Sequence, residues 1–132
     1  VPQRGNLSAV YFIQLILEDL DGKRISDNLY WRYSQHQNFY WLVNMPKVPL
    51  KQNINIQKRE KEYKISLTLT NDSDKLSFFN HLMIQGENTR EVVNPVFWSD
   101  NFISLFPNET KTVTATVAIE DLNGEKPLIT IK

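Results

Sequence analysis

The chain has 132 residues with 15 basic and 15 acidic side chains, no net formal charge, 41% hydrophobic and 11% aromatic residues, and no cysteine. The length fits one domain and the composition excludes a disordered chain; the charge balance removes any long-range pull toward nucleic acid or anionic lipid. Disulfides, thiolate metal sites and cysteine nucleophiles are excluded, and no apolar run approaches the roughly 20 residues of a membrane span.

The opening Val1-Pro2-Gln3-Arg4-Gly5-Asn6 has neither Met nor a signal-like apolar stretch, so a piece of a longer chain is expected. Residues 9–17 place Tyr11, Ile13, Leu15 and Leu17 on one face of a strand and Val10, Phe12 and Ile16 on the other. Both faces then need cover, which points to an inter-domain contact with side chains such as Phe12 or Trp31 exposed on the isolated chain. Asp21-Gly22 closes a hairpin onto a second strand near 24–33. The irregular stretch 34–47 reads as a linker or crossover with room for a helical turn.

Ile54 and Ile56 alternate with Asn53, Asn55 and Gln57 as a third strand. The charge run 58–62 reads as a solvated hairpin end. Next come Tyr63, Ile65, Leu67 and Leu69, interleaved with Lys64, Ser66, Thr68 and Thr70, the pattern of a half-buried strand. Turn residues at 71–74 stop it. Residues 78–84 read as one strand apolar on both sides, Phe78, Leu82 and Ile84 against Phe79 and Met83. Pro107-Asn108-Glu109 turns into a strand carrying Val113, Ala115, Val117 and Ile119, and Asn123-Gly124 turns a last hairpin before 128–131. Short alternating strands at regular turn spacing predict an all-β fold, an antiparallel β-sandwich.

Catalytic parts are few. His36 and His81 lack metal-ligand spacing, no glycine cluster cradles phosphate, and no serine sits in a nucleophile elbow. Glu18, Asp19, Asp21, Glu120 and Asp121 flank turns, where carboxylates serve Asx turns and solubility. Asp19-Leu20-Asp21-Gly22 lacks the third acidic ligand and distal Glu of a calcium loop. The reading is therefore no catalytic set, no metal and no cofactor. The aromatics remain: Trp31, Trp41 and Trp98, with Tyr30, Tyr33, Phe39, Tyr40 and Phe97. They suit either a sugar-stacking platform or a core and domain interface. Asp100 reads as a strand-end turn residue. Candidate sugar or interface contacts are Trp31, Trp41, Trp98, Asp100 and Asn101. Asn6, Asn71 and Asn108 each begin a glycosylation sequon.

Several motifs occur in one order. Tyr11-Phe12, Asp21-Gly22-Lys23 and Asn28-Leu29-Tyr30-Trp31 resemble a Tyr-Phe…Asp-x-x-Gly-Lys…Asn-x-Tyr-Trp hairpin in the C-terminal region of glycoside hydrolase family 2 enzymes, the β-mannosidases and exo-β-D-glucosaminidases. Trp41-Leu42 with Met45-Pro46-Lys47-Val48 is similar to that family's entry to its last module. Phe78-Phe79 with Leu82, and Pro95-Val96-Phe97-Trp98-Ser99-Asp100-Asn101-Phe102, resemble its Phe-Phe…Leu and Pro-Val-x-Trp-Ser-Asp-Asn-Tyr runs. Ser104-Leu105-Phe106-Pro107-Asn108-Glu109-Thr110 is similar to Ser-Leu-Leu-Pro-Gly-Glu-Thr, and Asn108 in place of Gly should keep the left-handed turn.

The resemblance implies an immunoglobulin-like or fibronectin-III-like accessory module. The family's catalytic Glu pair lies on a barrel with no counterpart here, so no catalytic role carries over. Other domains of a parent glycosidase are the implied partners, with an oligosaccharide as a further one, and use in the bacterial periplasm or outside the cell is implied. The expected organisation is one sandwich over 1–132: an N-terminal hairpin at 1–34, or alternatively the end of a preceding sandwich; a crossover at 35–47; and the main sandwich at 48–132.

Overall fold

A computed structural model describes residues 10–33, 45 and 47–132, which fall into two compact units divided between Pro46 and Lys47. The first holds strands β1 (Val10–Glu18) and β2 (Arg24–Tyr33), paired antiparallel with Phe12 opposite Trp31 and Ile13 opposite Tyr30. Their turn is where the Asp-Gly signal placed it. The Asp19 carboxylate accepts the N–H groups of Asp21 at 3.0 Å and Lys23 at 2.8 Å, and Gly22 takes the left-handed backbone that a side chain would strain. Leu15, Leu17, Ile25 and Tyr30 are exposed, and Leu20 at the tip wholly so.

The second unit is the sandwich. One sheet runs in the order β3 (Lys51–Lys58), β4 (Glu62–Thr70), β9 (Thr110–Ala118), β7 (Phe97–Trp98). Facing it are two antiparallel pairs, β5 (Ser77–Asn80) with β8 (Ile103–Leu105) and β6 (Leu82–Gly86) with β10 (Pro127–Ile131). The alternation along β4 and β9 explains the core: Tyr63, Ile65, Leu67 and Leu69 meet Val113, Ala115 and Val117 on the inner face, with Leu82, Ile84, Ile103, Leu105 and Ile129 across from them. The outer face carries Thr68 and Thr70, whose hydroxyls pair with those of Thr112 and Thr110 at 3.0 Å each. Ile54 and Ile56 on the edge strand β3 continue the apolar inner face but stay exposed.

Two expectations need correction. Residues 78–84 are not one strand: β5 and β6 break at His81 and pair with different partners. Phe79 has φ of +57°, which ends the two-residue alternation on which the single-strand reading rested. Nor does Asn123-Gly124 turn a hairpin. A short 3₁₀ turn at Glu120–Leu122, closed by left-handed Asn123, carries the chain from β9 in one sheet to β10 in the other. The similar stretches Glu18-Asp19-Leu20-Asp21-Gly22 and Glu120-Asp121-Leu122-Asn123-Gly124 thus serve different connections, because β10 finds its partner in β6 and not in β9. Asn108 is left-handed at φ of +62°, as the Gly-to-Asn argument requires.

Candidate functional site

Trp98, Asp100 and Asn101 lie in the segment leaving β7. Trp98 faces inward against the core, opposite Ala115, and shares with Asn101 the wall of a cavity of about 220 Å³. The exposed Asp100 accepts the Asn101 N–H at 2.8 Å, the strand-end bond expected of it. Asn101 turns its side chain onto β6. Trp31 is 44% exposed on β2, in the other compact unit, while Phe12 opposite it is half-buried. Trp41 lies outside the described residues. Within the second unit, Trp98, Asp100 and Asn101 share one neighbourhood.

The outer face of the four-stranded sheet presents a feature that the sequence did not single out. Gln57, Lys64, Thr116 and Phe97 are direct cross-strand neighbours in register, and residues opposite one another in a sheet point to the same face. Asn55, Ser66 and Thr114 form the row beside them, continued by Ser99, whose hydroxyl accepts the Thr114 N–H at 2.9 Å. Between the rows runs a groove of about 400 Å³. Phe97 closes the row and is 71% exposed. Arg59 donates to Gln57 Oε1 at 3.1 Å, and Lys64 approaches Glu62 at 4.0 Å, so charges of both signs stand beside the groove.

A second aromatic group sits where β5 breaks. The His81 ring stacks on Phe102 at 4.6 Å with 6° between planes, and Phe102 is 5.0 Å from Phe79. Phe79 and Phe102 both have left-handed backbones that bulky residues seldom adopt. Side chains hold each in place: the Phe79 N–H donates to Ser104 Oγ at 3.0 Å and the Phe102 N–H to Asn101 Oδ1 at 2.8 Å. The parallel His81 and Phe102 rings lie face to face, not side by side as a flat platform would require.

Charged groups elsewhere serve the fold. Glu125 Oε2 accepts the N–H groups of Asn88 at 2.7 Å and Thr89 at 3.1 Å, and these backbone donors hold its carboxyl below the usual range. Asp72 meets Lys51 at 2.7 Å, lowering the Asp72 carboxyl and raising the Lys51 ammonium. Among the described residues no three His, Asp or Glu side chains gather as a metal site.

Comparison with known proteins gives the geometry a context. The family model for the exo-β-D-glucosaminidase Ig-fold domain matches residues 28–132, starting within β2. The chain is 31% identical to an exo-β-D-glucosaminidase of Arthroderma benhamiae over 76% of its length and 13% of that protein's. It is 28% identical to the exo-β-D-glucosaminidase of Amycolatopsis orientalis over 99% of its length and 15% of that protein's. The crystal structure of the exo-chitosanase CsxA from Amycolatopsis orientalis superimposes with a TM-score of 0.83 at 27% identity, covering all of this chain and 18% of that one. The chain therefore spans less than a fifth of the length of these relatives.

Proposed function

The chain belongs to the exo-β-D-glucosaminidase Ig-fold domain family, and from that premise we propose that it is a non-catalytic accessory module of a larger exo-acting glycosidase of the β-glucosaminidase or β-mannosidase type. Its role is interfacial: it packs on neighbouring domains, holds the catalytic barrel in position and lends a loop to the active-site rim. The observation that carries this reading is the apolar surface left open, with Leu15, Leu17, Leu20 and Ile25 on the hairpin and Ile54 and Ile56 on β3. A two-stranded hairpin is marginal in water by itself, and apolar clusters of this kind mark contact surfaces. Periplasmic or extracellular use in polysaccharide breakdown belongs to the same proposal.

The test is made in the glycosidase polypeptide that carries this chain. Replacing Leu15, Leu17 and Ile25 together by Ser should lower the melting temperature of the catalytic part and reduce kcat/KM on glucosaminide and mannoside substrates. A change confined to KM would assign the rim role. Unchanged melting and unchanged kinetics, with the substituted chain still folded, would sink the interfacial reading.

A further inference from the structure

We infer that the outer face of the four-stranded sheet is a binding surface for a short, neutral oligosaccharide laid across the strands from Gln57 to Phe97. Three strand spacings make this row about 14 Å long, the length of a short oligosaccharide. The groove of about 400 Å³ lies within the ordinary volume of small-ligand sites. Its chemistry is that of sugar recognition. Amides from Asn55 and Gln57 and hydroxyls from Ser66 and Thr116 offer both donors and acceptors, and the Asn55, Ser66 and Thr116 side chains make no hydrogen bond among the described residues. Next to Thr116 in register and beyond the groove's lining, Phe97 is 71% exposed and offers an apolar face for a pyranose ring to cover.

An apolar protein partner would leave those unpaired amides and hydroxyls desolvated, whereas sugar hydroxyls satisfy them. The charge pattern narrows the ligand further. Lys64 is the charged side chain lining the groove, so protonated glucosamine units are repelled, and N-acetylated or unsubstituted sugars are preferred. The stacking residue is Phe97 and not its neighbour Trp98, because consecutive strand residues face opposite ways and Trp98 faces the core. This surface is independent of the packing role proposed above.

The experiment is an NMR titration of the 132-residue chain with three tetrasaccharides, of N-acetylglucosamine, mannose and glucosamine. Sedimentation of the free chain runs alongside. Saturable shifts confined to the amides of Ser66, Thr114, Thr116 and Phe97 and the side-chain amide of Asn55 are expected with the two neutral sugars, and weaker ones with glucosamine. Phe97→Ala should weaken binding about tenfold with an unchanged melting temperature, and Asn55→Ala should weaken it to a lesser degree. No shift at millimolar sugar, shifts elsewhere on the chain, or equal binding of glucosamine would overturn the inference. So would concentration-dependent self-association perturbing the same amides, which would assign the face to a second copy of the chain.

Discussion

Asn101 and Leu82 exchange two hydrogen bonds, the Leu82 N–H donating to Oδ1 at 2.7 Å and Nδ2 donating to the Leu82 carbonyl at 3.0 Å. A single side chain thereby gives the start of β6 what a neighbouring strand's backbone would give it. The same oxygen also holds the left-handed Phe102 N–H. Asn101→Ala leaves both Leu82 groups without these partners, at a cost of about 1–3 kcal/mol. Thermal and urea melts should show the loss, and Asn101→Asp, which keeps the acceptor, should recover part of it. A stability equal to that of the parent chain would mean that water replaces the amide at no cost.

Asn71 is fully buried, and its amide donates to the carbonyls of Lys75 at 2.7 Å and Leu105 at 2.9 Å, while Oδ1 accepts from the Ser73 N–H and hydroxyl. Asn71→Leu should cost about 2–4 kcal/mol, since it strands two carbonyls and a turn at once. Its sequon is therefore closed to a glycan in the folded chain. Expression in a glycosylating host should give folded protein with Asn71 unmodified, measured by peptide mass spectrometry, while exposed Asn108 is open to modification.

A Cβ on Gly86 would stand 2.5 Å from Glu125 Oε2 and 2.7 Å from Thr89 Oγ1. Gly86→Ala must push the carboxylate off the Asn88 and Thr89 amides, so it should destabilise the chain, and less so when Glu125 is already Ala. A double-mutant cycle by urea melts measures that coupling. Additive effects would show that the carboxylate swings aside freely.

Glu125, held by backbone amides, and Asp72, bonded to Lys51, both have lowered carboxyl pKa values in the folded chain. A lowered folded value means stabilisation that is present above the ordinary carboxylate pKa of about 4 and lost as pH falls through the folded value. Lys51 is raised, so its contribution is present below the ordinary lysine value of about 10.4 and lost as pH rises through the folded one. Glu125→Gln should flatten the acid limb of a stability-versus-pH curve alone. Asp72→Asn should flatten both limbs. Lys51 and Asp72 are exposed and Glu125 is half-buried at the surface, so the changes are small and shrink with salt.

The sequence announces what depends on neighbours along the chain. The β4 and β9 alternations, the Asp21-Gly22 hairpin and the left-handed turn at Asn108 are legible because burial of one face and turn geometry are local demands. The break at His81 is not, because Phe79 and Met83 are as apolar as their neighbours and only the backbone angle at Phe79 shows the loss of alternation. The outer-face row is illegible for a different reason. Gln57, Lys64, Thr116 and Phe97 become neighbours only through the register of four strands, and Phe97 precedes Thr116 in sequence while following it across the sheet. Chemical preference also misdirects: tryptophan is the usual sugar platform, yet the pleat that turns Trp98 inward is what turns Phe97 out.

The β6–β10 ladder sets an order of events in time. β6 ends at Gly86 and its partner begins at Pro127, so about forty residues must be made after β6 before the pair can close. At ribosomal rates of about 5–20 residues per second, that gap lasts about two to eight seconds. Meanwhile β3 and β4, joined by three residues, are free to pair as soon as they emerge. Leu82 and Ile84 spend the interval beside an unzipped strand edge, and nascent chains stalled short of Pro127 are the ones a holding chaperone would find.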